Sequence, residues 1–135
     1  MVKYENILIV DDDPVSNFIS NLVLKKNNLA NHIFVTEDAE SGLIEYQQLE
    51  DDIDKLNLVL VDIRMPGKDG FRFIEELNIC VQQKRGKTEV GILTNSNSED
   101  DQMRMLELGA KYWINKPLKK EIVQDLSKSL IYSIV

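Results

Sequence analysis

The chain has 135 residues, 16 basic and 23 acidic, with one His and one Cys and a net charge of −7. One Cys excludes an internal disulfide framework and a Cys-rich zinc site, one His excludes a His-cluster metal site, and the acidic balance excludes binding to nucleic acid through clustered Lys and Arg. The longest apolar runs, residues 7–10 and 58–61, fall far short of the roughly 18 residues that cross a bilayer, and no signal-peptide apolar region opens the chain, so no membrane association and a cytoplasmic setting are expected. With 43% hydrophobic and 29% charged residues the composition is that of a globular protein, and the length predicts one domain over 1–135.

Short apolar runs alternate with helical patterns. Ile7-Leu8-Ile9-Val10 reads as a buried strand, and Val15, Phe18, Ile19, Leu22 and Val23 then follow the spacing of one apolar helix face. His32-Ile33-Phe34-Val35-Thr36 predicts a second strand, and Ala39, Leu43 and Tyr46 a weaker helix. Residues 50–55 read as an acidic, solvated connector. Asn57-Leu58-Val59-Leu60-Val61 is the most hydrophobic strand, followed by a helix carrying Phe71, Ile74 and Leu77. Val90-Gly91-Ile92-Leu93 predicts a fourth strand, weakened by its glycine. Met103, Leu106 and Ala110 mark a helix that Gly109 stops, Tyr112-Trp113-Ile114 is the fifth strand, and Ile122, Val123, Leu126, Leu130 and Ile134 mark a closing helix.

Five strand–helix repeats with near-continuous apolar strands predict an α/β fold, a doubly wound parallel sheet with helices on both faces. Such sheets bind ligands at the carboxyl ends of their strands. There stand Asp11, Asp12 and Asp13 after the first strand, Asp62 after the third, Thr94 and Asn95 after the fourth, and Lys116-Pro117 after the fifth. Asp13-Pro14 reads as a helix cap and first turn. The other carboxylates would repel one another, a conflict that a hard divalent cation such as Mg²⁺ removes. A hydroxyl and an ammonium at the same edge suit phosphoryl oxygens, and Asp is a known acceptor of a phosphoryl group.

These residues resemble the receiver domain of two-component response regulators. The matching pieces are Ile7-Leu8-Ile9-Val10-Asp11-Asp12, Asp62-Ile63-Arg64-Met65-Pro66-Gly67-Lys68-Asp69-Gly70, Leu93-Thr94, Gly109-Ala110 and Lys116-Pro117. The resemblance implies a flavodoxin-like (βα)5 fold with strand order 2-1-3-4-5, an order the receiver family itself exemplifies. It implies that Asp62 is the phosphoacceptor, and that Mg²⁺ is held by Asp11, Asp12, Asp62 and the backbone carbonyl of Arg64. Thr94 and Lys116 grip phosphoryl oxygens, Thr94 and Trp113 form the switch, and the bond before Pro117 is cis. Implied partners are a histidine kinase or histidine phosphotransfer protein and a downstream target on the face of the fourth helix, fifth strand and fifth helix. The protein would be a phosphoacceptor, not an enzyme, though able to promote its own phosphorylation and dephosphorylation. In this reading Pro66-Gly67 makes a sharp turn that Asp69-Gly70 continues, and Trp113 turns inward on phosphorylation.

The sequence departs from the family at Asn95, where Ala, Gly or Ser is usual, and Arg64 brings a charge to the same mouth. Two other functions compete. A phosphorylation-independent interaction module of the same fold usually lacks a site residue, and all are present. A small Mg²⁺-dependent phosphohydrolase of the haloacid dehalogenase type fits Asp11-x-Asp13, but leaves Asp62 and the segment after it unexplained. His32 reads as a surface residue, Cys80 as a packed helix residue, and Glu99-Asp100-Asp101 as a helix N-terminus.

Overall fold

A computed structural model describes residues 3–65, 67 and 69–128. In chain order the elements are β1 (Tyr4–Val10), α1 (Pro14–Lys26), β2 (Ala30–Thr36), α2 (Ala39–Gln48), β3 (Leu56–Val61), α3 (Gly70–Gln82), β4 (Lys87–Thr94), α4 (Glu99–Glu107), β5 (Tyr112–Asn115) and α5 (Lys120–Ser127). Every strand pair is parallel, in the order β2-β1-β3-β4-β5. This is the doubly wound, flavodoxin-like architecture expected. Leu130 and Ile134, expected in the closing helix, lie outside the described residues, as does Pro66 of the expected turn.

Strand alternation divides the core into two layers. Leu8, Val10, Val59, Val61, Ile92 and Trp113 face one way, onto Tyr46, Phe73, Leu77 and Met105 of α2, α3 and α4. Ile7, Ile9, Leu58, Leu60, Leu93, Tyr112 and Ile114 face the other, onto Leu24, Val123 and Leu126 of α1 and α5. The split of Tyr112 and Ile114 from Trp113 follows from the two-residue period of β5.

Helix α1 corrects the sequence reading. Val15 (65% exposed), Phe18 (71%) and Leu22 (46%) face solvent, while Asn17, Ser20 and Leu24 are buried. Each buried position stands two residues after an exposed apolar one, so the apolar stripe and the buried face lie on nearly opposite sides of the helix. Asn17 explains part of this, since its side-chain amide donates to the Asp11 carbonyl at 2.7 Å and fixes a polar position against the end of β1. The acidic connector is also more than solvated chain. Asp51 Oδ1 accepts from the backbone N–H groups of Arg85 and Gly86, both at 2.8 Å, tying it to the turn before β4.

The opposite end of the sheet is closed by Glu89. Its Oε1 accepts from the Tyr4 hydroxyl (2.6 Å) and the Tyr112 hydroxyl (3.1 Å), and its Oε2 pairs with Lys111 (2.6 Å). Burial pushes the Glu89 carboxyl up, but Lys111 and Tyr4 together outweigh it and hold its pKa below the ordinary value. A depressed carboxylate pKa adds stability above the ordinary pKa and loses it as pH falls through the folded value. Glu89→Gln is expected to cost about 1–3 kcal/mol at pH 7, because two buried hydroxyls and an ammonium lose a charged acceptor. Urea unfolding checks this: the gap to wild type should narrow as pH falls through the depressed folded pKa of Glu89, below which both proteins carry a neutral side chain.

Candidate functional site

The residues singled out at the strand ends meet at one edge of the sheet. Backbone bonds place them, continuing the ladders one residue past the strands. The Asp11 N–H donates to the Thr36 carbonyl (3.0 Å), the Asp62 N–H to the Val10 carbonyl (3.0 Å), and the Lys116 N–H to the Thr94 carbonyl (2.9 Å). Since Val10 pairs with Val61, Asp11 and Asp62 follow side by side. Asp13 caps α1 by accepting from the Val15 N–H, with Pro14 in the first turn, as its position predicts. Its own N–H donates to Asp11 Oδ1 at 3.0 Å.

Lys116 organises the charges. Its Nζ lies 2.7 Å from Asp11 Oδ2 and 2.8 Å from Asp62 Oδ2, with its side chain only 7% exposed. Both are charge-assisted contacts of the ammonium, and the Asp62 contact has hydrogen-bond geometry. Asp12 is exposed beside them, and one oxygen from each of Asp11, Asp12 and Asp62 lies within 4.8 Å of the other two. Burial raises the Asp11 pKa against the opposing pull of Lys116. Burial also works against the Lys116 ammonium, but Asp11 and Asp62 outweigh it and raise its pKa. Three carboxylates thus face one ammonium. The donor set is all oxygen, and one buried carboxylate oxygen has unused acceptor capacity, which fits a hard divalent cation.

Next to this cluster is an open cavity of about 330 Å³ lined by Asp62, Arg64, Thr94, Asn95 and Ser96. Thr94 is buried, and its Oγ1 accepts from the Ser96 N–H at 3.2 Å. Arg64 donates through its backbone N–H to Asp62 Oδ1 (3.3 Å), while its guanidinium reaches Asp101 Oδ2 of α4 (3.1 Å). A second cavity, about 200 Å³, is lined by Asp13, Val15, Ser16, Ile19, Asn95, Lys116 and Pro117. Asn95 is exposed and borders both, at the mouth where its position placed it.

The bond between Lys116 and Pro117 is cis. Trp113 lines neither cavity. It is 8% exposed and packed in the core layer with Ile92 and Met105, and its buried Nε1 has no partner. The ring is buried in this structure. Two residues that touch the site escaped the sequence reading. Ser96 stands two past Thr94, and its hydroxyl donates to Asp101 Oδ2 at 3.1 Å. Asp101 looked like one of three interchangeable first-turn acids.

The family model for the response regulator receiver domain matches residues 7–127. The chain belongs to the receiver-domain family of response regulators. The transcriptional regulatory protein AruR of Pseudomonas aeruginosa is 34% identical to this receiver, over 97% of the chain and 51% of AruR. The chain thus spans about half the length of that relative. Among solved structures, the receiver resembles the co-crystal structure of the Saccharomyces cerevisiae histidine phosphotransfer signaling protein Ypd1 and the receiver domain of its downstream response regulator Ssk1. That match has a TM-score of 0.78 and 17% identity, and covers 96% of this chain and 90% of the other. It also resembles the receiver domain of the sensor histidine kinase PA1611 from Pseudomonas aeruginosa, described with a magnesium ion in its active site cleft (TM-score 0.73, 20% identity, 94% and 97% covered). Among the described residues no helix is long and apolar enough to cross a membrane.

Proposed function

We infer that this receiver, read as one domain over 1–135, is a phosphoaccepting switch of a two-component or phosphorelay pathway in the cytoplasm. Asp62 takes a phosphoryl group from the phosphohistidine of a histidine kinase or histidine phosphotransfer protein, and affinity for a downstream partner changes. The observation that carries the reading is the Lys116 ammonium held 2.7 and 2.8 Å from two buried carboxylates, with the exposed Asp12 carboxylate beside them.

In the transfer an Asp62 carboxylate oxygen bonds to phosphorus as the donor's N–P bond breaks. The imidazole leaves with that electron pair, and the product is an acyl phosphate. Lys116 moves its charge from the Asp62 carboxylate to a phosphoryl oxygen, and the Thr94 hydroxyl, on the wall of the same cavity, donates to another. Mg²⁺ would be held by Asp11, Asp12, Asp62 and the Arg64 carbonyl, and when bound it neutralises charge on the transferred group. Because the chain supplies these groups, it promotes its own phosphorylation and the later hydrolysis. Thr94 and Trp113 couple the site to the α4–β5–α5 face, where Met103 and Leu106 are exposed.

The donor's docking is read from α1. Val15, Phe18 and Leu22 form an exposed apolar stripe, and Val15 continues into the cavity that ends at Lys116. An apolar patch bordering a functional site suits a protein partner. The likeness to the Ypd1–Ssk1 co-crystal supports a phosphotransfer protein as that partner. Incubation with Mg²⁺ and acetyl phosphate should add one phosphoryl group per chain, read by intact mass; an unchanged mass overturns the reading.

Mg²⁺ at about 100 times its Kd should stabilise the folded receiver by about 2.7 kcal/mol, since it binds the folded state alone. Asp12→Ala removes an exposed carboxylate of the cluster, and at the same Mg²⁺ concentration most of that gain should vanish in a thermal melt. An equal gain in both proteins would move the cation elsewhere.

A further inference from the structure

The cavity beside Asp62 is rimmed by a chain of polar contacts that the transfer chemistry does not use. Arg64 is tied through its backbone to Asp62, and its guanidinium, 71% exposed, crosses to Asp101 Oδ2 in the first turn of α4. The same Asp101 oxygen accepts from the Ser96 hydroxyl, and the Ser96 N–H donates to Thr94 Oγ1. The path runs Asp62–Arg64–Asp101–Ser96–Thr94, so it begins and ends on walls of one cavity and passes through α4 in between. Asp101 is held from both sides, while Arg64 has a long exposed side chain at the cavity wall.

We propose that Asp101 is a competitor for Arg64: it holds the guanidinium off the site until a phosphoryl group on Asp62 draws it away. The inference rests on Asp62 being the phosphoacceptor. A phosphoryl dianion carries more charge than a carboxylate and accepts two parallel bonds from a guanidinium, whereas an exposed ion pair is weakly held. Arg64 therefore changes partners when Asp62 is modified. Asp101 then keeps only Ser96, and the first turn of α4 loses its tie to the loop after β3. Arg64 acts as a positioning residue for the phosphoryl group, and Asp101 sets how much of its charge the site receives. The exchange also gives α4 a link to the site separate from Trp113.

A thermodynamic cycle tests this with beryllofluoride and Mg²⁺ as the phosphoryl mimic, measured by titration calorimetry on wild type, Asp101→Asn, Arg64→Gln and the double variant. Arg64→Gln leaves the backbone carbonyl and N–H in place. Asp101→Asn should tighten beryllofluoride binding by about three- to five-fold, the equivalent of freeing Arg64 from an exposed ion pair. In the Arg64→Gln background the same change should do nothing. An equal tightening in both backgrounds would mean that Asp101 acts only through its general negative charge, and no tightening in either would mean that it does not compete; both overturn the proposal. Wild type that takes up no beryllofluoride would overturn the phosphoacceptor reading and the competition with it, whereas binding without coupling removes the competition alone.

Discussion

Asp62→Asn is expected to take up no phosphoryl group from acetyl phosphate and Mg²⁺, against one per chain for wild type, while remaining folded. Asn keeps the shape of the side chain but offers no carboxylate oxygen to bond to phosphorus. The fold should tolerate the change because of how charge is shared. Lys116 lies between Asp11 and Asp62, so losing one carboxylate leaves the ammonium paired with the other at 2.7 Å. The cluster then holds two carboxylates instead of three around one ammonium, which lowers their mutual repulsion. Uptake and stability should therefore separate: labelling falls to none, and the unfolding free energy from urea stays within about 0.5 kcal/mol of wild type. The neighbouring acids are the internal control. Asp11 is buried and charge-paired, and Asp12 is exposed. Labelling that persists in Asp62→Asn would show that one of them is the acceptor.

What the sequence makes legible here depends on whether a feature is local. The five strands are short runs of β-branched and aliphatic residues between turn residues, and each is where its run lies. The site residues are legible for the same reason, since a polar residue directly after a buried parallel strand has one place to be. Helix α1 shows where this fails. The stripe through Val15, Phe18 and Leu22 has the right period, yet it faces solvent, and the buried face is Asn17, Ser20 and Leu24. Periodicity reports that a helix has an apolar side, not what that side meets. The Arg64–Asp101 pair spans 37 residues and depends on β3 and β4 being neighbours, which no local pattern encodes. Glu89 is similar: a single acid in an otherwise apolar strand carries no sign of the two tyrosine hydroxyls and the lysine that converge on it.

The Asp69-Gly70 pair shows a motif read correctly in place and incompletely in cause. Its glycine was expected to continue the turn as the chain enters the next helix; Gly70 is the first residue of α3, and its N–H donates to the Ile63 carbonyl at 2.9 Å. A Cβ built there would lie 2.6 Å from the Asp62 carbonyl oxygen and 2.7 Å from the Ile63 Cα. Both are backbone atoms, so no side chain can swing aside, and either the start of α3 or the segment carrying Asp62 must move. Gly70→Ala is therefore expected to cost about 2–3 kcal/mol, in the range of overpacked cores, and to slow phosphorylation in the molecules that remain folded, because the displaced segment is the one that aims the acceptor. Gly109→Ala provides the contrast. Gly109 has a φ of +93° with no atom within 4 Å of a built Cβ, so its cost is backbone strain alone, about 1 kcal/mol, and it stands after α4, away from Asp62. Urea unfolding and labelling rates on the two variants separate the effects. Both should lose stability, and only Gly70→Ala should label slowly per folded molecule; equal labelling would show that Gly70 serves the packing of α3 without positioning Asp62.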